Sequence, residues 1–175
     1  MISAIAVGLL AACTGGSPPA PAAAPIATAP APAVAALIDI RPITINFRGQ
    51  PIARLFADGR TEAVGNNPPG GAMSPGPTLH ADGTIQLTKG GRTARVTTDG
   101  EIVVASPGGK EAPFGRIVGD HLTLGEAPAG VHADGDMLVF DNGRDDVGQI
   151  VGPVDAGMRR TALVMTAAFF ADSAP

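Results

Sequence analysis

Histidine is scarce in this chain, and two of its three copies sit in the same tripeptide, His80-Ala81-Asp82 and His132-Ala133-Asp134, with His121 between them. In an extended strand, residues i and i+2 share a face, so each imidazole can lie beside its own carboxylate. Imidazole with carboxylate is a donor set for zinc, and it is also a general base with the group that orients it. His80, Asp82, His121, His132 and Asp134 are therefore the candidate ligands. The plainer reading gives each Asp to a turn and each His to the wet face of its strand. It is preferred because Asp58-Gly59 and Asp99-Gly100 repeat the turn with no histidine. The expectation is accordingly no resident metal and no other cofactor, with those five residues as the places where a metal would bind if one did.

Other candidate chemistry is thinner. Asp134, Asp136, Asp141, Asp145 and Asp146 form an acidic patch around Asn142-Gly143, but their spacing matches no EF-hand loop, so a solvated loop is expected. Arg54/Asp58, Arg95/Asp99 and Arg116/Asp120 share an i, i+4 relation around the turns. That predicts surface ion pairs worth less than about 1 kcal/mol each. Ser74, Ser106 and Ser173 lie beside Pro or near the chain end, and none stands in G-x-S-x-G. No phosphate-binding glycine loop is present. No residue is assigned a catalytic role, and the domain reads as non-enzymatic. The formal net charge of −4 and singly scattered arginines argue against a nucleic-acid partner. With no Trp and no Tyr among 175 residues, a ring-stacking platform for sugars would have to be built from six Phe.

The elements that carry these side chains repeat. Thr44-Ile45-Asn46-Phe47 leads, after a Gly-containing turn, to Ala53-Arg54-Leu55-Phe56-Ala57-Asp58-Gly59; Thr84-Ile85-Gln86-Leu87 leads to Ala94-Arg95-Val96-Thr97-Thr98-Asp99-Gly100. Turn aspartates at 58, 82, 99, 120 and 134 recur at intervals of roughly 20 residues, each read as part of a hairpin turn of type I′. The flanks alternate with period two: Ile85 and Leu87 on one face, Thr84, Gln86 and Thr88 on the other. This predicts an all-β fold, an antiparallel meander of repeated hairpins with about ten short strands between Ile43 and Val151. Two stretches break the pattern. Residues 65–77, rich in Gly and Pro, predict a long loop. Residues 158–171, with Leu163, Met165, Phe169 and Phe170, predict one C-terminal helix that Asp155 caps and that covers one side of an open or partly curled sheet. Arg159-Arg160 stands at the wrong end for the helix dipole.

The N-terminus is of a different kind. No charged residue precedes Asp39. Residues 2–12 are an apolar run too short to span a bilayer, and Leu10-Ala11-Ala12-Cys13 follows the pattern of small residues before a cysteine. This resembles the lipobox of bacterial lipoproteins, although no Lys or Arg precedes the apolar run. The resemblance implies a signal peptide at 1–12, lipid on Cys13 as the mature N-terminus, and a membrane partner through that lipid. Thr14 in place of Asp implies the outer membrane where the cell has one. Residues 13–38, alternating Ala and Pro after the cysteine, read as a semi-extended tether, leaving 39–175 as the hairpin-repeat domain. From Thr44 to Phe140 the chain resembles Asp-Gly-turn envelope lipoproteins of GC-rich bacteria such as myxobacteria. The function this implies is a structural or protein-binding role in the cell envelope, with other envelope proteins as partners. The alternative is a metal-binding or sensor domain that uses the His-Ala-Asp hairpins.

Overall fold

Alternation of apolar and polar residues dominates the chain after Asp39, and it builds strands with one dry face and one wet face. A computed structural model describes residues 36–64, 71–125, 130–141 and 146–174. The expected signal peptide, Cys13 and the tether up to residue 35 lie outside the described residues, as do Asn142, Gly143 and Asp145 of the acidic patch. The strands are β1 (Ile43–Phe47), β2 (Gln50–Leu55), β3 (Arg60–Ala63), β4 (Ser74–Leu79), β5 (Thr84–Gln86) and β6 (Thr93–Val96). They continue as β7 (Glu101–Ala105), β8 (Glu111–Val118), β9 (His121–Leu124), β10 (Gly130–Asp134), β11 (Met137–Phe140) and β12 (Asp146–Val151). Each pairs antiparallel with its sequence neighbours, and β12 returns to β1 through Thr44↔Val151, Ile45↔Ile150 and Asn46↔Gln149. The all-β antiparallel meander is the fold, and it closes into a barrel of twelve strands. Closure pairs the two rows of backbone groups that an open sheet would leave at its edges. Of the loop expected over 65–77, residues 65–70 lie outside the described residues and residues 74–77 belong to β4 in spite of Pro75 and Pro77; a register shift opposite, between Arg60 and Glu62, accommodates the missing amides.

The two ends of the barrel are built differently. At one end, three Asp-Gly turns share a single geometry. Phe56, His80 and Thr97 each donate N–H to the residue four places on and accept from Gly59, Gly83 and Gly100 respectively. Only the glycine has positive φ, at 84°, 93° and 85°. These are three-residue loops, a type I turn closed by a glycine bulge, and not the expected type I′. Among the described residues two other adjacent pairs have both residues positive, Arg48-Gly49 at φ 51° and 77° and Gly90-Gly91 at 66° and 62°. Asp120 follows Gly119 in a two-residue turn, and Asp134 is the last residue of β10, whose turn is Gly135-Asp136. The roughly 20-residue recurrence has a physical basis. The carbonyls of Gly59, Gly83 and Gly100 accept from Leu79, Val96 and Ile117 at 2.8–2.9 Å, so each turn is stitched to the next strand but one.

The lumen is apolar and filled. Ile45, Leu55, Leu79, Ile85, Ile102, Ile117, Leu122, Val131, Leu138 and Ile150 point inward and are buried. Between them runs α1 (Ala156–Ser173), in which every residue from 161 to 168 is buried. More than two successive helical turns without an exposed residue means cover on every side, so α1 does not lie against one side of a sheet as expected. Its main contacts are with β4, β6, β8, β9 and β10, the arc of the ring from β4 to β10. A barrel of twelve strands is too wide for its own side chains to fill, and a helix about 10 Å across takes the remaining space. The small residues Ala162, Ala167, Ala168 and Ala171 let the strands close on it. Asp155 caps α1 by accepting from the Met158 amide at 3.0 Å. The unfavourable placement of Arg159 is offset by its ion pair with Asp120, 3.0 Å, at the β8–β9 turn. At the far end Asp172 accepts from the amides of Thr88 (2.7 Å) and Lys89 (3.3 Å), fixing the helix to the β5–β6 loop.

The Asp-Gly end is closed by the segment before β1. Leu37 and Ile38 both donate to the Ala81 carbonyl, and Ile38 is buried, so these two residues belong with the barrel and not with a tether running to residue 38. Outside, Arg54, Gln86, Arg95, Arg116, Thr123 and Gln149 are exposed. A membrane-spanning barrel presents an apolar band outward, and this wall presents the reverse. No described helix is long and apolar enough to cross a membrane.

Candidate functional site

Which outward side chains meet is decided by strand register. In the β9–β10 hairpin Leu122 pairs with Val131, both pointing inward at 0% exposure, and this sets His121 opposite His132 on the outer wall. The two imidazoles stack with centroids 5.7 Å apart and planes 7° from parallel. Asp141 follows β11, its amide donating to the Gly130 carbonyl at 2.9 Å, and its side chain reaches back over β10. One carboxylate oxygen accepts from His121 Nε2 at 2.7 Å and the other from His132 Nδ1 at 3.0 Å. The space it crosses exists because residue 130 is glycine: a Cβ there would stand 1.8 Å from Asp141 Oδ2. These three donors lie within 4.8 Å of one another in a shallow depression that Asp120 and Ala133 also line.

The electrostatics follow from that geometry. Partial burial, with 24% of the side chain exposed, favours the protonated form of Asp141. The hydrogen bonds from His132 and His121, with their charge when protonated, outweigh it and hold the carboxyl below its ordinary range. An ionised carboxylate can only accept, so each imidazole donates to it.

The five sequence candidates separate. His121 and His132 come together. Asp134 shares the outer face with His132, but its carboxylate is not among the converging donors; β10 ends there, and His132 turns to Asp141. His80 and Asp82 sit at the β4–β5 turn, five strands round the ring from β9. There the Asp82 carboxylate accepts from the Thr84 amide at 2.9 Å, which lowers its pKa; the charge of His80 is a lesser cause. Neither His-Ala-Asp tripeptide therefore acts as a unit. Asp141 stands in the sequence only as part of the acidic patch, and its signal there is weak: an Asp just past an apolar strand, and a glycine opening the strand before.

The expected i, i+4 ion pairs are absent among the described residues, where most of these side chains take other partners. Asp58 pairs with Arg60 (2.6 Å), Asp99 with Arg116 (3.7 Å) and Arg95 with Glu111 (3.0 Å). Comparisons with protein-family models, with curated proteins and with solved structures find no match.

Proposed function

We propose that the chain is a tethered envelope lipoprotein whose barrel is a non-enzymatic display scaffold, with lipid on Cys13 holding it to a membrane and its outer wall and rims facing envelope partners. The observation that carries this reading is the filled lumen. Helix α1 stands where a carrier barrel would hold its ligand, and Ile38 closes one end, so recognition is left to the outside. The polar outer wall suits a barrel held in water by a tether, not one seated in lipid. At about 3 Å per residue the Ala/Pro stretch gives that tether a reach of tens of Å. The wild-type chain is expected to partition into detergent and take up labelled palmitate, since two or three acyl chains bind a membrane durably. Cys13→Ser should lose the label and be released or stay uncleaved. Mass spectrometry of the membrane fraction showing an intact Met1 and a free thiol at Cys13 would overturn the anchor.

A second reading, the metal-binding or sensor domain, has one observation in its favour, the convergence of His121, His132 and Asp141.

A further inference from the structure

We propose that His121 Nε2, His132 Nδ1 and Asp141 form a binding site for one divalent transition-metal ion of the zinc class on the outer wall, with a coordination position left open to solvent. The inference deepens the metal-binding reading and rests on it; it does not depend on the anchor.

The donor set argues for the class of ion. Two imidazole nitrogens and one carboxylate oxygen suit zinc and its neighbours in the first transition row, whereas calcium and magnesium take oxygen ligands. Distances argue for fit. A tetrahedral zinc with bonds near 2.0–2.1 Å holds its donors about 3.3 Å apart. The carboxylate now stands 2.7 Å and 3.0 Å from the two nitrogens, with protons between them. An ion entering between them replaces those protons, which pass to solvent or to the other nitrogen of each ring. The carboxylate retreats by a few tenths of an ångström, and the donors, which now lie within 4.8 Å of one another, close on the ion.

The supporting structure is rigid where a site needs it. His121 and His132 are a registered cross-strand pair, and Asp141 is fixed through its backbone to Gly130. The three donors come from one side. With His121 half exposed, at 50% of its side chain, the opposite side is open to water or to a ligand atom from a partner. Three protein ligands with a fourth position open to water or a ligand set such a site apart from closed, four-ligand structural zinc.

The test titrates the purified full chain with Co2+, whose ligand-field bands report coordination, and then displaces it with Zn2+. A single equivalent of Co2+ is expected to give tetrahedral or five-coordinate bands that Zn2+ abolishes. His132→Ala and Asp141→Asn should each weaken binding by about tenfold or more, comparable with or beyond the loss of an outer-shell partner. Gly130→Ala, whose Cβ displaces the Asp141 carboxylate, should weaken it while all three ligands remain. His80→Ala should bind as the wild type does. These positions lie on the outer wall, and unchanged thermal melts of the metal-free variants separate lost binding from lost folding. Binding that survives His132→Ala and disappears in His80→Ala would overturn the site and leave the metal-binding reading standing. Absence of any Co2+ or Zn2+ binding at millimolar metal would overturn both.

Discussion

The same three residues, His-Ala-Asp, occur twice in this barrel and end in unlike surroundings. In His80-Ala81-Asp82 the tripeptide is itself the turn. His80 donates its amide to Thr84, the Asp82 carboxylate accepts from the Thr84 amide, and Gly83 closes the loop at φ 93°. In His132-Ala133-Asp134 the tripeptide is strand, the turn begins one residue later, and the imidazole is drawn to Asp141 and His121. The difference lies in the glycine that follows. Gly83 is wedged against the next hairpin, where a Cβ would stand 2.6 Å from the Val96 carbonyl, whereas Gly135 has nothing within 4 Å. A local motif sets what a side chain can do; the neighbouring strands set whether it has anything to do it with.

The largest effect is expected from the element that both copies depend on. Removing residues 158–175 empties the lumen and exposes Leu79, Ile85, Leu122 and Val131 together. The truncated chain should lose cooperative melting, bind an apolar dye and aggregate. A truncated barrel that stayed monomeric with an unchanged melting temperature would show that α1 is not the core. The comparison itself is sharpened by two glycine substitutions. Gly83→Ala adds a backbone clash to left-handed strain and should cost about 2–4 kcal/mol in chemical denaturation. Gly135→Ala meets strain alone and should cost about 1 kcal/mol. Equal costs would break the distinction between the two turns.

The smallest effect concerns acid. Asp82 is held below its ordinary 3.8 chiefly by the Thr84 amide. Its contribution to stability is therefore present above the unfolded value and fades as the pH falls through the lower folded value. Asp82→Asn keeps an acceptor for the Thr84 amide, so its melting temperature near neutrality should match the wild type. Below about pH 4 the variant should lose stability less steeply than the wild type. A steeper acid limb in Asp82→Asn would contradict that assignment.

Much of the fold is legible in the residue order. Ile85 and Leu87 face inward as their alternation with Thr84 and Gln86 requires, because side-chain period in a strand is two whatever surrounds it. At Ile102 and Val103 a bulge breaks the alternation and both are buried, which no periodicity announces. The Asp-Gly positions mark real turns at 58, 82 and 99. Their type is not legible in the residues, because Asp-Gly suits both a type I′ pair and a type I turn with a glycine bulge. In the structure the type I turn with its glycine bulge comes with a stitch from the Gly59 carbonyl to the Leu79 amide, twenty residues along the chain.

The sequence by itself determined most of the antiparallel strands, the Asp-Gly turns at 58, 82 and 99 and the Asp155-capped apolar helix, since each follows from a preference that a residue and its near neighbours exert alone. Tertiary structure decided the rest. Whether β12 meets β1 depends on the twist summed over the whole ring. Whether α1 covers a sheet or threads a barrel depends on that closure, because the same all-round apolar helix suits either place until the lumen exists. The meeting of His121, His132 and Asp141 needs β9, β10 and β11 in register and a glycine where a Cβ would block the carboxylate. Residues far apart in the chain acquire a shared chemistry only when backbone hydrogen bonding fixes which of them stand side by side.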